Sequence, residues 1–94
     1  MKSAEQFLET MTRIAHIVET ELDSRDHCAR AWVHVENEDG IYEVCVTLEH
    51  EDNRYSVQNE DGMPRTGYSG ADRWDSLYDA LWDCGLKTLA LAAR

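Results

Sequence analysis

Cysteine, histidine and carboxylate side chains are the groups in this sequence that could do chemistry, and their spacing matches no catalytic motif. Cys45 and His34 fall on neighbouring predicted strands, where diagonal neighbours have Cβ atoms roughly 5–7 Å apart. A thiol nucleophile needs a base placed in this way. Buried cysteines more often act as small hydrophobic residues, so we predict no catalytic residue.

Metal and phosphate sites are not predicted either. His27-Cys28 and His50-Glu51-Asp52 are fragments that lack zinc-site spacing. The tetrapeptide Asn-Glu-Asp-Gly occurs at 37–40 and at 59–62, and neither copy fits a calcium-binding loop. Gly62, Gly67 and Gly70 precede a predicted helix that begins with aspartate, which is unlike a phosphate-binding loop. We therefore expect no metal and no cofactor.

The charge balance is the strongest signal in the composition. Nineteen acids and nine Lys and Arg residues give a net charge of −10, beyond the magnitude of about 2–8 that keeps a small domain soluble. Such a chain should be repelled by nucleic acid and by anionic membranes, and attracted to basic proteins. The three cysteines have no CxxC spacing, and no apolar leader or membrane-spanning run is present. We therefore expect a cytoplasmic protein.

Two segments have helical periodicity. Apolar residues recur every three to four positions over 3–23, and Ser3 with Gln6 forms a capping box at the start. The same period runs over 71–93 and continues past Gly85, which favours one long helix.

Three segments alternate with a period of two, over 28–36, 41–50 and 54–59. Placing Val33 opposite Val44 and Val46 opposite Val57 keeps one face apolar. The other face then carries Trp32 and Cys45 among polar side chains, and it would be a docking surface unless the 63–70 loop covers it. The loop around Arg65–Tyr68 would supply a fourth strand.

These elements predict one α+β domain over 1–94, in the order α-β-β-β-α, with three or four antiparallel strands and both helices on one face. The order resembles the double-stranded-RNA-binding domain. Such domains carry lysines at the start of the second helix, whereas this chain has Asp72-Arg73-Trp74-Asp75-Ser76 there. We therefore expect no direct binding of nucleic acid.

The acids are concentrated in the predicted hairpins, where nine acids and one base lie between Glu36 and Asp61. Exposed turns and strand edges are often charged, which also blocks aggregation. The alternative is that spaced carboxylates imitate phosphates and occupy the basic groove of a nucleic-acid-binding protein. A second row of four aspartates would lie on one face of the last helix. The predicted partner-binding residues are Glu36, Glu38, Asp39, Glu43, Glu49, Glu51, Asp52, Glu60, Asp61, Asp72, Asp75, Asp79, Asp83, Trp32 and Trp82.

In size, acidity and layout the chain resembles the small phage-encoded inhibitors of host defence, such as anti-CRISPR proteins. No residue motif carries this resemblance, so it transfers no functional residues. It implies a non-enzymatic inhibitor of a basic, nucleic-acid-binding protein, acting as a monomer or homodimer. The alternatives are an immunity protein or antitoxin against a basic toxin, a dimeric acidic secretion chaperone, an enzyme that uses Cys45 with His34, and a structural subunit that docks through Trp32.

Overall fold

The fold is described from a computed structural model, which covers residues 2–23, 25 and 28–94. One helix precedes a four-stranded antiparallel sheet, and two short helices follow the sheet. The elements are α1 (Ala4–Ile14), β1 (His16–Asp23), β2 (Cys28–Asn37), β3 (Gly40–Leu48), β4 (Tyr55–Asn59), α2 (Leu77–Asp83) and α3 (Lys87–Ala92). The predicted α+β class is confirmed, with the sheet in its four-stranded form.

The strands lie in chain order across the sheet. The predicted registers are confirmed, since Val33 lies opposite Val44, and Val46 lies opposite Val57. These side chains are at most 1% exposed and form the core with the helices, which cover this one face as predicted. The alternation fixes the register, because a shift by one residue would turn every buried side chain to the opposite face.

The predicted helix over 3–23 is correct only in its first half. The Ser3 side chain accepts a hydrogen bond of 3.2 Å from the Gln6 N–H, so the predicted cap is present. The helix ends at Ile14, and the prediction is wrong for residues 16–23, which form β1. β1 pairs with β2, and its register shifts between Ile17 and Glu19. This bulge occupies the position of Val18.

The predicted long helix over 71–93 is also wrong. The Ser76 hydroxyl accepts a hydrogen bond of 3.0 Å from the Asp79 N–H, so α2 begins after Ser76. Gly85 has a φ of +79°, a left-handed conformation that ends helices and suits glycine. The chain turns at this glycine and starts α3 at Lys87.

The outer edge of β4 is covered by the chain that follows it. Pro64 bridges to Gln58, and the Arg65 N–H donates a 2.8 Å hydrogen bond to the Val57 carbonyl. At the other end, Trp74 and Tyr55 exchange two backbone hydrogen bonds. The extra strand expected around Arg65–Tyr68 is thus reduced to a single bridge. β1, on the opposite side of the sheet, has no such neighbour within the described residues.

Candidate protein-binding face

The sheet has one face that no helix covers, which we call the open face. Opposite residues share a face, so the pairs Glu19–Trp32, Glu21–Arg30 and Trp32–Cys45 place these side chains together on it. The alternative, in which the 63–70 loop covers this face, does not occur, because the backbone hydrogen bonds of that loop lead to the edge of β4 and to α2. Ile41, at the start of β3 on the same face, is 69% exposed.

A chain of side-chain hydrogen bonds fixes the floor of the open face. The Thr47 hydroxyl donates to the Gln58 side-chain carbonyl at 2.9 Å, and the Gln58 amide donates to the Ser56 hydroxyl at 2.8 Å. Ser56 in turn donates to Glu49 at 3.1 Å, and the Glu49 carboxylate also accepts from Arg73. Thr47 and Ser56 are buried, so the network holds them without competition from water.

A shallow hollow of about 360 Å³ opens above this floor. Trp32 and Arg30 stand on one side of the hollow, Cys45 and Thr47 form its base, and Glu60 lies at its rim. The Arg30 guanidinium lies 3.3 Å from the Glu21 carboxylate. The half-buried Trp32 ring lies beside this ion pair. Aromatic rings in this position are typical contact residues of protein interfaces.

Cys45 and His34, the residues of the alternative enzyme hypothesis, each contact a different neighbour. The His34 ring stacks on His16, with ring centroids 5.4 Å apart, and the Cys45 sulfur lies 3.6 Å from the Thr47 hydroxyl. Burial raises the pKa of the Cys45 thiol, with the Thr47 hydrogen bond opposing this to a smaller extent. A nucleophilic cysteine needs the opposite shift, toward the thiolate.

Most of the Lys and Arg residues lie away from the open face. Five bases make no ion pair with a carboxylate of the described chain, and instead contact carbonyl oxygens or aromatic rings on the helix side of the sheet. Lys2 and Arg13 donate to the carbonyls of Asn53 and Ala92. The other three lie over aromatic rings, as the pairs Arg65–Tyr42, Lys87–Trp82 and Arg94–Tyr78. The open face therefore keeps an excess of negative charge.

The ion pairs of the described chain involve only three bases. Arg30 contacts Glu21, Arg54 contacts Asp52, and Arg73 lies among Glu49, Asp52 and Asp72. The remaining predicted contact residues with a carboxylate form no such pair, and they are Glu36, Glu38, Asp39, Glu43, Glu51, Glu60, Asp61, Asp75, Asp79 and Asp83.

The acidic turns lie at two ends of the sheet and do not form one patch. The 37–40 turn is at one end, and Glu60 and Asp61 follow β4 toward that same end. Glu51 and Asp52 lie in the turn at the opposite end. The nine residues of β3 separate the two ends by roughly 30 Å at the rise of a strand. Glu43, on the open face beside His34, lies between them.

The predicted row of four aspartates on one helix face is wrong. Asp72 and Asp75 precede α2, because the helix starts after Ser76. The Asp83 carboxylate accepts hydrogen bonds from the Trp74 indole N–H at 2.9 Å and from the Ser69 backbone at 3.0 Å. Donation by Ser69, and then by Trp74, lowers the pKa of Asp83. Asp83 thus anchors the loop before α2.

Trp82 lies on the helix side, away from the open face. Its ring is 41% exposed, stacks on Tyr78 at a centroid distance of 5.8 Å, and has the Lys87 ammonium 5.3 Å from its centroid. Trp32 and Trp82, which the sequence analysis grouped as contact residues, therefore belong to different surfaces.

Glu19 and Glu21 are contact candidates that the apolar periodicity does not indicate. The periodicity predicts a helix there, whereas both residues lie on the open face opposite Trp32 and Arg30. The run Ile17-Val18-Glu19-Thr20 contains three β-branched residues, which favour a strand over a helix.

Comparisons with protein-family models, with curated proteins and with solved structures found no match for this chain. In the part of the chain that the structure describes, no helix is long and apolar enough to cross a membrane. The same residues contain no cluster of three or more histidine, cysteine or carboxylate side chains arranged to hold a metal ion.

Proposed function

We propose that this chain is a non-enzymatic binding protein that masks a basic surface of a nucleic-acid-binding protein and thereby inhibits it. The observation that carries the proposal is the excess of acids over bases on the open face. The bases of the helix side contact carbonyls and rings, while the open face presents Glu19, Glu21 and Glu43 with Arg30 as its one strand-borne Lys or Arg.

The positions of these acids suit such a partner. Glu19 and Glu21 are two residues apart on one strand, which spaces their Cα atoms by roughly 7 Å. This interval is close to that between successive phosphates of a nucleic-acid strand. A groove that binds phosphates with Lys and Arg would meet similar charge on the open face, and the encounter would be fast and sensitive to salt.

The Trp32 ring adds a short-range contact to this long-range attraction. It lies beside the hollow in the open face, next to Glu21 and Arg30. A lysine or arginine of the partner that enters the hollow would contact the ring face, an interaction of about 0.5–2 kcal/mol. Binding would then depend on both charge and the aromatic ring.

The test begins with capture on the immobilised chain from a lysate at low salt, followed by elution with duplex DNA or RNA. The eluted protein is purified, and its affinity is measured by calorimetry at several salt concentrations. We expect the triple variant Glu19→Gln, Glu21→Gln, Glu43→Gln to bind about tenfold more weakly, since three exposed charge pairs contribute roughly 0.5 kcal/mol each.

The matched control removes three charges from other surfaces, with Glu9→Gln, Asp75→Asn and Asp79→Asn. These acids are exposed and lie outside the open face. The control should bind like the wild type within about threefold. Equal losses in the two triple variants, or a complex that nucleic acid does not displace, would contradict the proposal. A basic toxin as the eluted protein would instead favour the immunity-protein alternative.

A further inference from the structure

The two edges of the sheet differ in a way that bears on how a partner attaches. The edge of β4 is closed by the backbone bonds of Arg65 and Trp74, as described above. The edge of β1 is open within the described chain, although β1 is eight residues long. An open strand edge offers unpaired N–H and C=O groups to another extended chain.

β1 is accessible along most of its length. In an antiparallel pair about half of the residues direct their backbone groups away from the partner strand, which gives roughly four such residues in β1. Val18 and Leu22 are 46% and 47% exposed, which is high for apolar side chains. The bulge at Val18 interrupts the strand, so the regular segment runs from Glu19 to Asp23.

The charges of β1 discriminate between possible occupants. In a symmetric antiparallel pair with a second copy, centred on Thr20, Glu19 and Glu21 of one chain would face Glu21 and Glu19 of the other. Like charges directly opposite each other destabilise a strand pair. A strand with lysine or arginine at these positions would gain instead, by roughly 0.2–1 kcal/mol for each opposite-charge pair.

We infer that the basic partner adds an extended segment to the free edge of β1. Lysine or arginine at alternate positions of that segment faces Glu19 and Glu21, and the residues between them are small or apolar and face Thr20 and Leu22. This inference rests on the proposed function, because it takes the basic partner and specifies its means of attachment. Backbone hydrogen bonds supply affinity, and the alternating charges select the partner.

The test uses the full ¹⁵N-labelled chain and a peptide of about seven residues that alternates lysine with valine, the length and pattern of one added strand. We expect the largest amide shifts over 16–23, and hydrogen exchange slowed at least about tenfold at the amides of β1 that face outward. The variant Glu19→Gln, Glu21→Gln should weaken binding, and the control Glu5→Gln, Glu9→Gln, on the exposed side of α1, should not.

Two further peptides separate the backbone contribution from the charge. A peptide with alternate N-methylated amides keeps its charges and loses its donors, so we expect at least about tenfold weaker binding. A peptide with glutamate in place of lysine should not bind.

Equal affinity of the methylated peptide, or shifts confined to the turns at 37–40 and 60–61, overturns the attachment at β1 and leaves the proposed function intact. If replacing Glu19 and Glu21 changes the affinity of neither the lysine peptide nor the captured partner, the proposed function fails as well. Formation of a dimer through β1, with the dimer detected by ultracentrifugation, also overturns the inference.

Discussion

Replacing Thr47 by valine tests whether the hydrogen-bond network stabilises the open face. Valine keeps the shape and the β-branch of threonine and removes only the hydroxyl. That hydroxyl donates to Gln58 at 2.9 Å and is the polar neighbour of Cys45. Thr47 is 3% exposed, so water does not reach the position of its hydroxyl.

The loss of stability expected for Thr47→Val comes from the Gln58 side-chain carbonyl, which is left without its hydrogen-bond donor. An unsatisfied buried acceptor costs about 1–3 kcal/mol. Gln58 is only half-buried, so its carbonyl can turn partly toward water, and the lower part of that range applies. We expect Thr47→Val to reduce the free energy of unfolding by about 1–2 kcal/mol. With an m-value of about 1.5 kcal/mol/M, the urea midpoint falls by roughly 0.7–1.3 M.

Urea denaturation followed by circular dichroism measures this change, and Thr20→Val on exposed β1 is the matched control. The control should stay within about 0.5 kcal/mol of the wild type. Replacing both partners, in Thr47→Val with Gln58→Leu, should recover part of the loss because the carbonyl that accepts from Thr47 is removed with its donor, while the Ser56 hydroxyl keeps its bond to Glu49. An unchanged midpoint for Thr47→Val, or a full sum of losses in the double variant, would refute the reasoning.

Three further outcomes are expected from other parts of the fold. Leu81→Ala, at a fully buried position, should lower the free energy of unfolding by about 2–5 kcal/mol in a urea titration. Hydrogen bonds lower the pKa of Asp83 below the ordinary value of 3.8. They therefore stabilise the fold above pH 3.8, and this stabilisation is lost as the pH falls through the folded-state pKa. Asp83→Asn should remove part of the difference in the free energy of unfolding between pH 7 and pH 3. A thiol reagent at pH 8 should modify half-buried Cys28 before Cys84, whose pKa burial raises to about 11.

The registers of β2, β3 and β4 could be predicted because their alternation is regular. Val33, Val44, Val46 and Val57 are spaced so that a shift of either pairing by one residue would turn buried side chains to the opposite face. Tight turn sequences at 37–40 and 51–54 fix the ends of the strands. Local pattern and tertiary packing agree in this part of the chain, so the sequence is sufficient to give the structure.

The sequence pattern does not predict β1, because the bulge interrupts the alternation of its side chains between the two faces of the sheet. Ile17, Thr20 and Leu22 point to the helix side, and the extra residue at Val18 shifts the period by one. The resulting apolar spacing of Ile14, Val18 and Leu22 imitates a helix. The β-branched residues were the contrary signal, but propensity is a weaker guide than periodicity in so short a segment.

The C-terminal helices were merged for a different reason. The apolar period continues through Gly85 because α2 and α3 both bury side chains in the same core. The positive φ of Gly85 belongs to the turn between the two helices, and the apolar periodicity does not indicate this turn. Ser76 and Asp79, by contrast, have the spacing of a helix cap, and they mark the true start of α2.

The correction to β1 changes the role assigned to the acidic turns. Turn carboxylates at two ends of the sheet lie roughly 30 Å apart, which is farther than an extended segment of about seven residues reaches. They lie beyond a Debye length of about 8 Å from each other, so each acts on an approaching partner locally. Glu19, Glu21 and Glu43 stand on paired strands instead, at positions fixed by backbone hydrogen bonds. Electrostatic steering needs only charge, whereas docking needs charge held in place. The turns are thus suited to attract a basic partner, and the strands of the open face are suited to bind it.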